Sequence, residues 1–280
     1  MKKSVIVKRT TQSTNQKKRP TFTVSYLLIS ILIVLFLSII YTHRYSIFRY
    51  LTNKSNKITH SEKRYRLRNE LVLLANTDKA IGIDVSHYQG RIDWKQVKFI
   101  NHEKYPIAFV FVRATQGCDT NDRQFEKNWQ QTKANNFIRG AYHYYRPNEN
   151  SIQQAENFIA TVRLTKGDLP PVLDIEKMPE NQSIENLKIG LRRFLEKIEK
   201  HYKVQPIIYC GERYYTEFLK AEFSEYAFWI ANYNFIDTEI NADFRFWQFT
   251  EQARVEGISE KVDVNIFNGN CNDLNDLRIK

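Results

Sequence analysis

Two carboxylates two positions apart, Asp174 and Glu176, close the stretch Leu169-Pro170-Pro171-Val172-Leu173-Asp174-Ile175-Glu176. In an extended strand alternate side chains share a face, so both acids project together while Leu173 and Ile175 point the other way. At a rise of about 3.3 Å per residue their Cα atoms lie roughly 6 to 7 Å apart, within reach of the carboxylate separations that retaining glycosidases use. One acid would hand a proton to a leaving oxygen while the other stabilised positive charge at the sugar carbon. Two solvated acids at an exposed strand end would have the same local sequence. The apolar approach argues for chemistry, because it reads as a buried parallel strand ending where such strands open toward a site.

Two more acids leave apolar strands. Asp84 lies in Gly82-Ile83-Asp84-Val85-Ser86, and Asp263 in Val262-Asp263-Val264-Asn265-Ile266-Phe267, where Asp263, Asn265 and Phe267 alternate onto one face. Asp84 alone reads equally well as a turn cap. If the first and last strands become neighbours by closure, Asp84, Asp174, Glu176 and Asp263 converge at one mouth. Aromatic residues give the second signal: Tyr142 and Tyr144, Tyr209, Trp229 and Tyr233, and Trp247 beside Gln248 all fall at strand ends. Their faces suit sugar rings, and core packing is the competing use of the same residues. Tyr142 and Tyr144 share one face of their strand, His143 and Tyr145 the other.

Other chemistries find no support. The six histidines form neither H-x-H nor H-E-x-x-H, so no metal is expected. His87 and His143 fall near the mouth but read as hydrogen-bonded structural residues. Neither a G-x-S-x-G elbow nor a phosphate-binding glycine loop occurs, and no cofactor is expected. Cys118, Cys210 and Cys271 allow at most one intramolecular bridge and are read as structural.

Eight apolar runs must position these residues: Ile81 to Ser86, Ile107 to Thr115, Ile138 to Tyr145, Pro171 to Glu176, Gln205 to Cys210, Tyr226 to Tyr233, Arg245 to Thr250 and Val262 to Phe267. Helical spacing appears between them over Asp122 to Asn135, over Ser151 to Leu164 with a capping box Ser151-x-x-Gln154, and over Ser183 to Tyr202. A short helix follows around Tyr214 to Lys220. Alternation of this kind predicts an α/β fold with a parallel sheet, and eight strands predict closure. After Tyr226 the connections are too short for full helices. The expected architecture is a modified TIM-like β/α barrel with eight strands and an incomplete outer helix ring, preceded by one transmembrane helix.

The net charge of +11 over 280 residues is unevenly placed. Residues 1–76 hold 15 Lys and Arg against two acids, Glu62 and Glu70, leaving 27 basic and 29 acidic residues beyond. The C-terminal part is therefore near neutral, which argues against nucleic acid as a partner. Seven basic residues precede a run from Phe22 to Tyr41 that is apolar except for Thr23, Ser25, Ser30 and Ser38. Its length suits a bilayer-spanning helix. A secretory signal peptide competes, but the run is long and Ser38 to His43 offers no small-x-small cleavage site. The positive-inside bias then places residues 1–21 in the cytoplasm as a basic tail, 22–41 in the membrane as a signal anchor, and the remainder on the exported side. Residues 42–76 read as a juxtamembrane linker, either resting on anionic head groups or solvated. The apolar cluster Leu71 to Leu74 falls within it, and the barrel domain is expected over 77–280, starting near Lys79.

The motifs also resemble a family. Asp84-Val85-Ser86-x-x-Gln89-Gly90-x-Ile92-Asp93-Trp94, Phe111 to Gly117, Gly140-Ala141-Tyr142-His143-Tyr144, Val172 to Glu176, and Val262-Asp263-Val264-Asn265-x-Phe267 look like the signature blocks of the family 25 glycoside hydrolases, the Chalaropsis-type lysozymes. The five blocks come in the family's order over about residues 79 to 269. The resemblance implies a modified β/α barrel that cleaves the β-1,4 bond between N-acetylmuramic acid and N-acetylglucosamine of peptidoglycan with net retention. It implies Glu176 as general acid and base, and Asp174 as stabiliser of the anomeric charge, either as nucleophile or by orienting the substrate's 2-acetamido group. Asp84 and Asp263 match the family's two further acids. Like charges resist a fully ionised cluster, and Glu176 is expected as its one proton carrier. Gln116 departs from the family's usual Ala-Thr-Glu-Gly and removes a charge near the mouth. A catalytically weak wall-binding scaffold is the alternative from another class, and a chitin-like polymer the alternative substrate. The sequence leaves the oligomeric state open.

Overall fold

The computed structural model describes residues 61–100 and 104–280, together with Ile29, Leu32, Ile33 and Phe36. The chain divides into two units, Met1–Thr59 and His60–Lys280. In the first, the four described residues are helical and exposed. The expected anchor over 22–41 otherwise lies outside the described residues, as do the tail and most of the linker. Among the described residues no helix is long and apolar enough to cross a membrane.

Eight strands of the second unit close into a barrel. They are β1 (Ile81–Val85), β3 (Tyr105–Gln116), β5 (Ile138–Tyr144), β6 (Val172–Asp174), β7 (Ile207–Gly211), β8 (Ala227–Ala231), β9 (Phe246–Ala253) and β10 (Val262–Phe267). Each hydrogen-bonds to the next, and β10 and β3 both pair with β1. Two short strands accompany β3 antiparallel: β2 (Phe99–Ile100) at its start, and β4 (Thr120–Asn121) beyond the turn at Gly117, whose φ is 60°. Helices α2 (Phe125–Ala134), α3 (Ser151–Thr161) and α4 (Ile184–Tyr202) follow β3, β5 and β6. After β7 comes a short turn, α5 (Glu212–Tyr214), which runs into a π-helical turn, Tyr215–Leu219. Between β8 and β10 there is no helix.

The expectation of a parallel sheet needs one correction. β1 through β9 run parallel around the barrel, but β10 is antiparallel to both β9 and β1. The reversal has a local cause: with no crossover helix between them, β9 and β10 can only join as a hairpin. It also decides where Asp263 goes. In a parallel strand the second residue would sit at the bottom of the barrel, whereas in reversed β10 it sits at the top, in register with Asp84.

Strand alternation divides the core in two. Outward residues such as Val110, Val112, Leu173, Ile208 and Ile230 pack with the helices, while Phe109, Phe111, Val172, Ile207, Phe246 and Phe267 fill the barrel interior. Room for those rings comes from small residues. A Cβ on Gly82 would meet the Phe109 ring at 2.4 Å, and one on Gly140 would meet Phe111 at 2.4 Å. The bottom is stoppered by α6 (Cys271–Leu277), whose Leu274 joins the interior cluster. α6 was not expected from the sequence, because it is short and offers Leu274 and Leu277 as its only apolar side chains.

Two boundaries also differ. A helix over 61–75, α1, lies in the same compact unit as the barrel, His60–Lys280, whereas the barrel domain was expected over 77–280. Arg68, Asn69, Val72, Leu73 and, just beyond, Asn76 are buried on one helical face; two of the five are apolar, too few to read as a core helix. For α3, the cap is Asn150 rather than Ser151: its side chain accepts from Ile152 N at 2.9 Å and Gln153 N at 3.1 Å. Gln154 is thereby freed from capping and is fully buried.

Candidate active site

The register of the barrel sets one ring of inward side chains at the C-terminal ends of the parallel strands. Tyr144 on β5 pairs with Asp174 on β6, Asp174 with Tyr209 on β7, and Tyr209 with Trp229 on β8. Gln248 on β9 pairs with Asn265 on β10, and Asp263 with Asp84. Arg113 on β3 pairs with Tyr142 on β5 and completes the circle. All of these residues except Asn265, which lies beneath, line a cleft of about 370 Å³ together with Tyr88, Gln116, Glu176, Lys177, Tyr233 and Glu251. The four expected acids therefore meet in one place.

Asp84 is the hub of the floor. Its Oδ2 accepts from Gln248 Nε2 at 2.9 Å and from Asn265 Nδ2 at 2.8 Å. Asn265 in turn accepts from Trp229 Nε1 at 2.8 Å, and Gln248 Oε1 accepts from the hydroxyls of Tyr209, at 2.8 Å, and Tyr233. Asp263 also bonds Asp84. Burial raises both carboxyls. Asp263, pushed further by the charge of Asp84, reaches about 9, whereas the amide donors pull Asp84 back. The pair is best described as a protonated Asp263 donating to an ionised Asp84.

Asp174 is buried, and its Oδ1 meets no donor among the described residues. Burial, followed by the charges of Glu176 and Asp84, holds it well above the usual carboxylate range, with Arg113 opposing. Glu176 stands exposed at the rim. It too is raised, first by desolvation and then by Asp84, while the hydroxyls of Tyr209 and Tyr144 act the other way. Glu176 was expected to be the cluster's one proton carrier, but burial raises the carboxyls of Asp84, Asp174 and Asp263 as well. What distinguishes Glu176 is access.

Five of the six expected sugar-binding aromatics line the cleft: Tyr142, Tyr144, Tyr209, Trp229 and Tyr233. Trp229 forms the floor, stacked on Phe111 with centroids 4.5 Å apart. Trp247 does not belong to the set. It alternates with Gln248, so it faces the outer core, donates from Nε1 to Asn232 O at 2.8 Å and carries the Arg68 guanidinium 5.7 Å from its ring. His143 also faces outward, between Thr115 Oγ1 at 2.7 Å and Gln154 Oε1 at 3.1 Å. His87 binds Asp122 Oδ2 at 2.8 Å.

Arg113 was not singled out by sequence, although it lies in the Phe111 to Gly117 block. Asp122 Oδ2 accepts its Nε at 3.0 Å and holds the guanidinium 5.1 Å from the exposed Tyr88 ring, as a cation on the cleft wall. Gln116, turned so that its oxygen faces Arg146, accepts from Arg146 Nε at 3.0 Å. The three cysteines are free thiols.

A barrel mouth with clustered carboxyls above a floor of tyrosine and tryptophan defines a glycoside hydrolase. The family model "Glycosyl hydrolases family 25" matches residues 83–258, and the chain belongs to that family. It is 38% identical over 195 residues to the uncharacterized protein YegX of Escherichia coli K12, covering 69% of this chain and 71% of that one. It is 32% identical over 212 residues to lysozyme M1 of Streptomyces globisporus, covering 70% of each. Among solved structures, a family 25 glycosyl hydrolase from Bacillus anthracis superposes with a TM-score of 0.64 at 29% identity, over 73% of this chain and 95% of that one. A lysozyme from Streptomyces coelicolor gives 0.63 at 29% identity, over 72% and 97%.

Proposed function

We propose that the protein is a peptidoglycan-cleaving N-acetylmuramidase, anchored to the membrane through residues 22–41 with its barrel on the exported side. The observation that carries the chemistry is the contrast between two neighbouring acids. Asp174 is buried with one oxygen unpartnered, and Glu176 is exposed with its carboxyl raised. Glu176 is positioned to protonate the glycosidic oxygen between N-acetylmuramic acid and N-acetylglucosamine and then to deprotonate the incoming water. The free oxygen of Asp174 serves the anomeric side, by attacking the anomeric carbon or by accepting the 2-acetamido N–H; either route gives net retention. Ionised Asp84 adds negative charge beneath an oxocarbenium-like transition state, which stabilises it more than the neutral substrate. Relatives named lysozyme and N,O-diacetylmuramidase support this polymer over chitin.

The test is the full-length Glu176→Gln variant on purified peptidoglycan. Release of new reducing ends should fall by about 10²-fold or more, with an unchanged melting transition. Full activity in that variant would refute the assignment. An inactive wild-type chain that still pelleted with peptidoglycan would favour the scaffold reading. Mass spectra of the products place muramic acid or glucosamine at the reducing end and so identify the bond cut.

A further inference from the structure

Tyr233, unlike the cleft aromatics Tyr142, Tyr144, Tyr209 and Trp229, is held by no strand. It lies in the connection between β8 and β9, yet its hydroxyl reaches Gln248, the amide that donates to Asp84. A loop residue in that position needs its backbone fixed from outside, and both flanking carbonyls are. Asn232 O accepts from Trp247 Nε1 at 2.8 Å, and Asn234 O accepts from Arg68 Nε at 3.1 Å and from its Nη2. The remaining nitrogen of Arg68, Nη1, donates to Phe249 O on β9. The guanidinium is thus clamped between the loop and the strand that carries Gln248.

Arg68 is 4% exposed, and the two oxygens that accept from its guanidinium are backbone carbonyls. Burying a guanidinium is costly unless its donors are met in a fixed geometry, and a planar fork meeting two carbonyls is such a geometry. Its ring contacts repeat the same two elements: Phe235 of the loop at 5.8 Å, and Trp247 and Phe249 of β9 at 5.7 and 5.5 Å. Tyr65, one turn earlier on α1, packs against Phe235 with centroids 5.2 Å apart. All of α1 precedes the segment 83–258 that defines the family.

We propose that Arg68 is a positioning residue for the hydrolytic reaction: from α1, outside the family's defining segment, it fixes the backbone beside Tyr233 and thereby the Tyr233–Gln248–Asp84 chain at the cleft. This rests on the muramidase reading, since the substrate is the one proposed above. Arg68 touches no part of the cleft, so its influence passes through Tyr233.

The experiment is a double-mutant cycle in the full-length chain, with kcat and KM measured on soluble peptidoglycan strands. Arg68→Met keeps the apolar stem and removes the donors; Tyr233→Phe removes the hydroxyl. Each single variant should lower kcat/KM by about tenfold, and the double variant should be no worse than about twofold below the singles, because both cut one chain. A purely structural Arg68 would lower folded yield and leave kcat/KM of the folded fraction unchanged, or its factor would multiply with that of Tyr233→Phe; either result overturns the proposal. If Arg68→Met does not fold, the cycle is run with Arg68→Lys, whose single ammonium cannot bridge both carbonyls, and the same criteria decide. A wild-type chain that releases no reducing ends overturns the muramidase reading itself. Wild-type activity with an indifferent Arg68 overturns only the positioning role.

Discussion

At the level of single residues, the site conflicts with stability, and Asp174 shows it most plainly. Its carboxyl is buried beside two other acids with one oxygen unpartnered, and its folded pKa lies above its unfolded value. For an acid shifted that way, the favourable contribution is present below the unfolded value of about 4 and is lost as pH rises through the folded one. Near neutrality the side chain therefore weakens the fold. Asp174→Asn should raise stability at pH 7 by about 1 kcal/mol and abolish most activity, with the gain over wild type shrinking toward zero below about pH 4. Thermal melts of both proteins at the two pH values check this; a variant destabilised at pH 7 would show that the charge is compensated. The sequence made this acid legible because it sits two residues from another at the end of an apolar run. Arg113 and Asn265 were harder to see, since an arginine and an asparagine inside strands acquire meaning only from what faces them. Trp247 was misread because period-two alternation says that it and Gln248 face opposite ways without saying which faces inward.

At the level of elements, positions of strands and of helices α2 to α4 followed from periodicity, whereas direction and late additions did not. Nothing in Val262 to Phe267 announces an antiparallel strand; the shortness of the connection before it was the available clue. Gln154 illustrates a second limit. The sequence offered it as part of a capping box, but α3 starts from Asn150, and Gln154 instead ties the helix to β5 through His143. Gln154 Nε2 donates to the carbonyls of Arg146 and Glu149, so its oxygen faces His143 Nε2 as an acceptor, and Thr115 Oγ1 supplies a donor to Nδ1. The imidazole is thus held neutral. Burial lowers its pKa from 6.5 to about 4. A histidine lowered in this way gives stability that is complete above 6.5 and is lost as pH falls toward 4. Wild-type stability should decline over that window by up to about 3 kcal/mol on this account, and His143→Gln should flatten the decline while losing some stability at pH 7. Denaturant titrations from pH 7 to pH 4 measure both; an unchanged slope in the variant would assign the acid sensitivity to other groups.

For the whole molecule, the charge distribution and the barrel together define how far the enzyme can work. The barrel unit begins at His60 and includes α1, so the membrane helix proposed over 22–41 would leave a sequence of eighteen residues, 42 to 59, between the two. Fully extended, such a stretch spans at most about 60 Å. An anchored muramidase with that tether is confined to glycan next to its own membrane, which suits local opening of the wall and not wholesale lysis. Electrostatics agrees with this arrangement: seven basic residues and no acid lie before residue 22, on the proposed cytoplasmic side, where they would meet the anionic leaflet, and the near-neutral part beyond residue 76 carries no long-range attraction for a polyanion. The full chain should therefore sediment with membranes, stay there through high-salt and alkaline washes, and come off in detergent. Protease added to the exported face should cut it to a barrel-sized fragment that begins between residues 42 and 60, since α1 is packed against β9 through Arg68 and resists cleavage. Deleting 22–41 while keeping an export signal should release an active barrel that digests isolated walls as fast as the intact chain does but no longer fractionates with membranes. A full chain found soluble after cell breakage, or one whose barrel is protected from external protease, would overturn the anchor and its orientation while leaving the hydrolase assignment intact.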